Sequence, residues 1–386
     1  MGTVLPRAAL LTGLVAVLAS TSPAQSNDAA GTGSITLADS LFQPIQLPPV
    51  LAYGYPPNDI HVPRFVEMIR NRDFDGLERE LGALHAQVRR DVKHEIRFAD
   101  AFQAAYRNDS TVLAGIEAWI AAKPQSAHAR VARANYYYAS AWRRRGTDYI
   151  RSTPAANIQA MTDAATRAIE DAAAALQLDS THLVAYEIAI GVTRLAGRHD
   201  DASRILQRGL AIHRGSFSLY RAFMLMLWPR WGGSEQLMVQ LGEQAARNAD
   251  INPRLQALQG AVFQSRAFDS TLAGNHAGAV RELNNALRYG YERGYLRDRG
   301  KAYFRLAAYE YAFNDLRAAV VERSQDPEIL EYYGRTLVEL ATRARDAIRP
   351  TILARAIEVL RLAVYLEPDN TRSRAALTRA ERMSGP

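Results

Sequence analysis

The chain contains no cysteine among its 386 residues. Disulfide bonds, thiolate metal sites and a lipid attached to an N-terminal cysteine are therefore excluded. A metal could bind only through histidine or oxygen ligands, and the eight histidines are scattered along the sequence without the spacing of a metal site. His94, beside Glu95, is expected to form a solvated pair with it. We therefore expect no metal and no other cofactor.

Lysine is almost absent as well. Only Lys93, Lys123 and Lys301 occur, so arginine supplies nearly all of the 47 basic residues, and the net charge is a modest +7. The densest basic run, 143–145, stands before Gly146, where a helix should end and where cations favourably meet the helix dipole. We attribute this skew towards arginine to genomic base composition, and we expect no nucleic-acid binding.

Long hydrophobic runs are missing except near the N-terminus. Arg7 precedes an apolar stretch at 8–19, and small residues follow at 22–24. A run of this length fits the core of an export signal and is too short to cross a bilayer. We expect residues 1–24 to be a signal peptide. The mature chain, with no transmembrane segment after signal removal, is then periplasmic or extracellular.

The sequence also lacks the motifs of zinc proteases, serine hydrolases and dinucleotide-binding enzymes. Residues 71–82, NRDFDGLERELG, resemble a calcium-binding EF-hand loop, but Gly82 stands where the bidentate glutamate should be. Residues 294–302, GYLRDRGKA, resemble a P-loop, but the glycine spacing is wrong and Ala302 replaces the magnesium-binding hydroxyl. We expect neither site, and we expect no enzyme activity.

Residues 25–61 form a distinct N-terminal segment. Residues 25–34 are small and polar, which indicates disorder. Residues 35–58, ITLADSLFQPIQLPPVLAYGYPPN, contain five prolines, which forbid a helix, yet they are too apolar for a free linker. We expect a disordered and extended Pro-rich segment in which 35–55 lies against the folded body or in its binding groove.

From about residue 62 the sequence predicts helices almost throughout, and a small-residue template recurs along it. A small residue is followed four positions later by a leucine and three positions after that by another small residue. The template is filled by Ala202, Leu206 and Gly209, by Ala279, Leu283 and Ala286, by Ala312, Leu316 and Ala319, and by Ala356, Leu360 and Ala363. Gly300 and Gly334 stand in the helices that precede the last two copies.

This pattern resembles the tetratricopeptide repeat family, in which helix-turn-helix hairpins of about 34 residues stack. Gly300 and Gly334 are separated by one such period. The resemblance implies an all-α, right-handed solenoid in which small residues let paired helices approach closely. We expect residues 62–125 to form an N-terminal helical cap or divergent repeats, and residues 126–386 to form the TPR-like repeats.

One region departs from the repeat period, because Ala202 and Ala279 stand further apart than two periods. This region contains LMLWPRWGGSEQLM, residues 225–238. We interpret this stretch as a corner in which Pro229 ends one helix, two glycines permit the turn and a serine caps the next helix. The corner motif consists of Trp228, Pro229, Trp231, Gly232, Gly233 and Ser234.

A second resemblance is to an uncharacterised bacterial family of helical-repeat proteins with a P-R-W-G-G-S motif. It is carried by Trp119, Pro124, Ser126, Ala134, Tyr137, Tyr138, Trp142, Gly146 and the 229–234 run. This resemblance implies no known activity.

By analogy with tetratricopeptide proteins, the first helix of each hairpin lines a groove. The candidate ligand-binding residues are Arg297, Lys301, Phe304 and Arg335, whose cations could hold an acidic peptide or a carboxylate terminus. We therefore predict an exported scaffold that mediates protein or peptide binding in the bacterial cell envelope. Two alternatives stay open. One is an oligomeric structural protein, and the other is an enzyme or polysaccharide-binding protein with an aromatic groove built from residues such as Tyr136, Tyr137, Tyr138, Trp142, Trp228 and Trp231. Partner identity and oligomeric state are not predicted.

Overall fold

The computed structural model describes residues 53–107, 109–146, 150–322 and 325–385. Within these ranges the chain forms seventeen α-helices and no strand, which confirms the all-α expectation. The signal-peptide prediction and most of the Pro-rich segment lie outside the described residues. No helix in the described ranges combines the length and apolar character that membrane crossing requires.

The helices, numbered in chain order, are α1 (Val62–Arg70), α2 (Phe74–Arg90), α3 (Glu95–Ala101), α4 (Ser110–Ala122), α5 (Ala127–Arg145), α6 (Ala155–Leu178), α7 (Leu183–Leu195), α8 (His199–Ile212), α9 (Phe217–Met226), α10 (Glu235–Ala246), α11 (Ala261–Leu272), α12 (His276–Leu287), α13 (Arg293–Arg305), α14 (Tyr309–Glu322), α15 (Pro327–Arg343), α16 (Arg349–Leu366) and α17 (Thr371–Ser384).

Polar side chains mark where many of these helices begin. The side chain of Ser126 accepts a hydrogen bond from the main chain of α5, and Ser216 does the same for α9. Asn275, Glu292 and Asp326 cap α12, α13 and α15 in the same way. Each cap pairs amide groups that the first turn of a helix leaves without a partner, which is typically worth about 1 kcal/mol.

Consecutive helices pack as hairpins, most extensively α5 with α6, α11 with α12, α13 with α14 and α15 with α16. The small residues of the recurring template face the partner helix, since Ala312, Ala319, Ala356 and Ala363 are all fully buried. The close approach of α13 and α14 needs Gly300, because a Cβ there would lie 2.7 Å from Leu316 Cγ. The expected packing of small residues against one leucine is confirmed.

The hairpin that begins at Pro327 is longer than the preceding one. Helices α15 and α16 have 17 and 18 residues, whereas α13 and α14 have 13 and 14. The crossing is nevertheless the same, because Gly334 lies against Leu360 as Gly300 lies against Leu316. The additional residues therefore extend the hairpin beyond its crossing point.

The region that departs from the repeat period contains a 3₁₀ stretch, Pro253–Gly260, which runs directly into α11. A 3₁₀ helix rises further per residue than an α-helix. This one begins at Pro253, and the side chain of Asn252 caps it by accepting a hydrogen bond from the amide of Arg254. Gly260 permits contact with the next hairpin, because a Cβ there would lie 2.5 Å from the carbonyl oxygen of Ala286. The extra chain length is thus taken up by the corner motif and by this stretch.

Residues 53–61 are non-helical and lie against the body of the protein. Tyr55 donates a hydrogen bond to Glu95 Oε1 at 2.9 Å and accepts one from Asn252 Nδ2 at 2.7 Å. At the other end of the segment, Gln325 donates to the carbonyl oxygen of Ile60 at 2.8 Å and accepts from the amide of Val62 at 2.7 Å. These contacts join the N-terminal segment to Asn252 and Gln325, which are separated from their partners by 197 and 265 positions in the sequence.

Glu95 is the centre of this contact region. Its carboxylate is fully buried and accepts hydrogen bonds from Ser216 Oγ at 2.6 Å and from the amides of Phe217 and Ser218 at the start of α9. The sequence reading of His94 and Glu95 as a solvated pair is therefore wrong for Glu95. Sequence neighbours gave no sign of this burial, because every one of these donors except Tyr55 lies 121 to 123 positions away.

Candidate functional site

The four predicted binding residues lie on α13 and α15. Arg297 Nε lies 2.8 Å from Asp298 Oδ1 and 3.5 Å from Glu328 Oε2, and Lys301 Nζ lies 2.5 Å from Glu328 Oε1. The side chain of Glu328 is 45% exposed. The two predicted cations are therefore already paired with carboxylates of the same chain, one of which solvent can reach.

The other two predicted residues meet at an aromatic cluster. The guanidinium carbon of Arg335 lies 4.7 Å from the ring centre of Phe304 and 5.2 Å from that of Tyr332, and Arg335 Nη1 contacts Glu331 at 2.8 Å. Lys301 Nζ lies 5.4 Å from the same Tyr332 ring. The structure thus brings all four residues into one strip, which we call the α13–α15 strip.

The corner motif has a defined backbone geometry. Pro229–Trp231 form a 3₁₀ turn, Gly232 adopts a left-handed conformation with φ of 87°, and Ser234 Oγ accepts a hydrogen bond from the amide of Leu237 at 3.3 Å. Gly233 has no room for a side chain, because a Cβ would lie 2.1 Å from the carbonyl oxygen of Leu227. The glycines, the proline and the serine therefore set the path between α9 and α10.

The two tryptophans of the corner have different surroundings. Trp228 is buried in the core, with its ring centre 5.7 Å from that of Phe268. Trp231 is half-buried, and its ring meets that of Trp142 edge to face at 5.6 Å. Trp231 therefore extends the surface formed by α5, while Trp228 supports the corner from inside.

Arginine side chains surround the rings of Trp142 and Trp231. The guanidinium carbon of Arg194 lies 4.8 Å from the ring centre of Trp142 and 5.5 Å from that of Trp231. The guanidinium carbons of Arg145 and Arg230 lie 5.7 and 5.5 Å from the ring centre of Trp231. We call these five residues the Trp–Arg cluster. Guanidinium groups attract aromatic faces, and this attraction strengthens where water is partly excluded.

Local structure explains how these five side chains meet. Trp142 and Arg145 occupy the last turn of α5, Arg194 the last turn of α7, and Arg230 and Trp231 the turn that follows α9. The cluster is therefore built where α5, α7 and α9 end, and each of these is the first helix of a hairpin. The sequence singled out the two tryptophans, but no local signal marked Arg194 as their partner.

The aromatic-groove alternative named six rings: Tyr136, Tyr137, Tyr138, Trp142, Trp228 and Trp231. Tyr138, Trp142 and Trp231 form a continuous series with ring centres 6.3 and 5.6 Å apart. Tyr136 and Tyr137 contact each other instead, and Trp228 is buried. Guanidinium groups lie over the Trp142 and Trp231 rings of this series, whereas glycoside hydrolysis uses a pair of carboxyl groups.

Four histidines that are distant in the sequence come together: His85, His128, His182 and His213. The nitrogen atoms His128 Nδ1 and His182 Nε2 lie 3.1 Å apart, and the Nε2 atoms of His85 and His213 lie 3.1 and 2.8 Å from the carbonyl oxygen of Thr181. The description of the histidines as scattered therefore holds for the sequence but is wrong in space for these four. We call them the histidine cluster.

Burial controls the protonation of the histidine cluster. It lowers the pKa of His128 to about 4 and lowers the pKa values of the other three histidines as well. The rings of His85, His128 and His182 pack against Phe98, and the carboxylate of Asp179 lies 3.5 Å from His85. Neutral imidazoles in an apolar contact are the expected state at neutral pH.

The lookalike motifs have structural roles. Asp73 caps α2 by accepting from the amide of Gly76 at 3.0 Å, and Asp75 pairs with Lys123 at 2.7 Å, so these EF-hand positions bind groups of the protein. Residues 294–302 lie inside α13, where no phosphate-binding loop can form. In the part of the chain that the structure describes, no group of three or more histidine or carboxylate side chains is arranged to hold a metal ion.

Comparison with family models gives one match. Residues 61–200, a little over a third of the chain, match a family described as a domain of unknown function, DUF4034. This range contains the residues from Trp119 to Gly146 that carry the second resemblance noted in the sequence, and the corner motif lies beyond it. No curated protein matches the chain.

Among solved structures, matches include three tetratricopeptide repeat proteins. One from Parabacteroides merdae is 12% identical over 82% of this chain and 99% of its own, with a TM-score of 0.30. YrrB, which has an unusual peptide-binding site, is 15% identical over 68% and 97%, with a TM-score of 0.25. The TPR2AB domain of yeast Sti1 in complex with pHSP90 is 11% identical over 80% and 99%, with a TM-score of 0.27. These scores are low, so the description of the fold rests on the helix pairs of the chain itself.

Proposed function

We propose that this protein is an exported scaffold that binds another protein or a peptide in the bacterial cell envelope, without making or breaking bonds. The chain stacks hairpins, with right-handed winding expected from the repeat resemblance. Such stacks present an extended surface whose shape is set by packing between neighbouring hairpins. The N-terminal sequence supports export.

The Trp–Arg cluster is the observation that carries this proposal. Tryptophan, tyrosine and arginine are the residues most enriched among those that dominate protein–protein binding energy. Trp142, Arg194 and Trp231 are half-buried, so their side chains are held in place by neighbours and still present surface to a partner. Tyr138 continues this surface at 6.3 Å from Trp142.

The binding proposal is tested with the chain from residue 25 onward. The protein is immobilised and incubated with envelope extract, and retained proteins are measured for the unaltered chain and for the double variant Trp142→Ala, Trp231→Ala. Leu272→Ala, at a residue that is 58% exposed, is the matched control. We expect the double variant to lose a partner that the control retains, with both variants keeping the helical circular dichroism spectrum. Retention of every partner by the double variant would contradict the proposal.

Export has a separate test. The protein is isolated from the envelope fraction of a bacterial host, and its N-terminus is determined by mass spectrometry. We expect the chain to begin near residue 25. Recovery of a chain that begins at Met1 in the cytoplasmic fraction would overturn the envelope location and leave the binding proposal standing.

The α13–α15 strip stays a predicted peptide site. An acidic peptide could bind there only by displacing Glu328 from Lys301 and Arg297. Glu328→Gln removes the charge that pairs with Lys301 and Arg297. If the strip binds acidic peptides, this variant should bind an octaglutamate peptide several-fold more tightly than the unaltered chain, as measured by fluorescence anisotropy. Glu358→Gln, whose side chain is 68% exposed, is the control. Equal affinities for both variants would remove the strip as a peptide site.

A further inference from the structure

Three guanidinium groups converge on one indole ring. Arg145, Arg194 and Arg230 lie 5.7, 5.5 and 5.5 Å from the ring centre of Trp231. Like charges gathered around one ring repel each other, and the repulsion grows where water is partly excluded. The helix dipoles of α5 and α7 offset part of it, because Arg145 and Arg194 lie in the last turns of these helices.

Arg194 is the cation of this group for which the described part of the chain supplies no partner of opposite charge. Among the described residues it contacts the two tryptophan rings and forms no ion pair, and its buried Nε atom has no hydrogen-bond partner. The cations of the α13–α15 strip differ in this respect, because each contacts a carboxylate. The Nε donor is buried, so an incoming oxyanion would bind the part of this half-buried guanidinium that solvent can reach.

We propose that Arg194, held between Trp142 and Trp231, binds a side-chain carboxylate of an acidic peptide. This assignment rests on the proposed binding function and names the chemistry of the ligand. A guanidinium that lies against aromatic rings directs its N–H groups outward along its edge, where a carboxylate accepts two parallel hydrogen bonds.

The geometry favours a peptide over a nucleic acid. Proteins that bind single strands stack bases on open aromatic faces. Here the Trp142 and Trp231 planes are inclined at 87° to each other, and guanidinium groups lie over both rings. The cluster therefore offers charged N–H edges to a ligand in place of free aromatic faces.

The experiment measures binding of fluorescein-labelled octaglutamate with an amidated C-terminus to the chain from residue 25 onward. An octaglutamine peptide with an amidated end tests the need for side-chain charge, and an octaglutamine peptide with a free end tests the terminal carboxylate. A labelled eight-nucleotide thymidine strand tests the nucleic-acid reading. We expect octaglutamate to bind best, and Arg194→Ala to weaken it by roughly tenfold to a hundredfold.

Two further variants separate an effect on the site from an effect on the fold. Arg194→Lys keeps the charge but loses the planar fork, and we expect it to bind more weakly than the unaltered chain. Arg204→Ala removes an arginine whose side chain is 66% exposed, and we expect it to leave binding unchanged. We expect the melting temperatures of both variants to lie within a few degrees of that of the unaltered chain.

Several results would overturn the assignment. These are absence of octaglutamate binding, equal binding of octaglutamine or thymidine, preference for the free carboxylate end, or full binding by Arg194→Ala. If Arg194→Ala retains the envelope partner while the Trp142→Ala, Trp231→Ala variant loses it, the anion site is wrong and the scaffold function stands. If neither variant loses the partner, the scaffold function fails as well.

Discussion

At the residue scale, Glu95 joins parts of the chain that are distant in sequence. Its buried carboxylate accepts hydrogen bonds from Tyr55, from Ser216 and from the first amides of α9. Glu95→Ala leaves these buried donors without an acceptor. We therefore expect it to lower the free energy of unfolding by about 3 kcal/mol. Urea denaturation measures the change. Glu358→Ala, at an exposed ion pair, should change it by less than about 1 kcal/mol, and equal losses for the two variants would contradict the role given to Glu95.

Residue-level prediction from the sequence succeeded where the signal was local. The burial of Ala312 and Ala356 follows from a spacing that places small residues on one face of a helix. The burial of Glu95 and the meeting of His85 with His182 depend on which distant segments pack together. The pairing of Arg297 and Lys301 with Glu328 likewise depends on the stacking of α13 against α15.

At the element scale, the hairpins depend on space at the helix crossings. Gly300→Ala places a Cβ 2.7 Å from Leu316 Cγ, which forces the two helices apart or Leu316 into a poorer rotamer. We expect a loss of roughly 1–3 kcal/mol in the free energy of unfolding, as is typical of overpacked cores. Gly82→Ala is the matched control in α2, because nothing outside the backbone of its own helix lies within 4 Å of the added Cβ.

The control has its own expected sign. Alanine favours helix over glycine by about 1 kcal/mol, so Gly82→Ala should raise the free energy of unfolding. Chemical denaturation of both variants distinguishes the packing effect from the propensity effect. Stabilisation by Gly300→Ala would show that the crossing of α13 and α14 has spare room and would contradict the packing account.

Elements were predicted from the sequence best where the repeat period held. The hairpins from α13 to α16 follow the small-residue template. The region between Ala202 and Ala279 was recognised as irregular, but its 3₁₀ stretch was not predicted. That stretch depends on Asn252, which caps it and contacts Tyr55 and the carbonyl oxygen of Gly215.

At the scale of the whole molecule, residues 53–61 join the N-terminal helices to later hairpins. A chain that begins at residue 62 loses the bonds of Tyr55 to Glu95 and Asn252 and the bond of Ile60 to Gln325. We expect it to be less stable in urea than a chain that begins at residue 53, by about 2–4 kcal/mol.

A synthetic peptide of residues 53–61 provides a check in trans. If the loss comes from the missing contacts, millimolar peptide should restore part of the stability of the shorter chain, because a ligand that binds only the folded state stabilises it. Equal stability of the two chains would show that the segment contributes nothing to the fold.

The histidine cluster should make the docking of α2 and α3 sensitive to acid. Burial lowers the pKa of His128 to about 4 in the folded protein, whereas an unfolded histidine titrates near 6.5. As the pH falls, the histidines of the unfolded chain bind protons before those of the folded chain. The contribution of the cluster to the free energy of unfolding is therefore fully present above about pH 6.5 and declines towards pH 4.

His128 alone accounts for up to about 3 kcal/mol of this decline. The charged groups that face the cluster are Asp179, which offsets part of the loss, and Arg89, which adds to it.

Urea midpoints at pH 7.0, 6.0, 5.0 and 4.5 measure this dependence, and His128→Gln tests its source. Glutamine keeps a polar group beside His182 but cannot take up a proton, so the variant should lose less stability between pH 6.5 and 4.5 than the unaltered chain. His61→Gln removes an exposed histidine and should leave the pH profile unchanged. Parallel profiles for all three proteins would mean that the cluster does not govern acid stability. A flatter profile for His128→Gln alone would connect the protonation of the histidine cluster to the attachment of the N-terminal helices. The cluster joins α2 to the starts of α5 and α7 and to the end of α8.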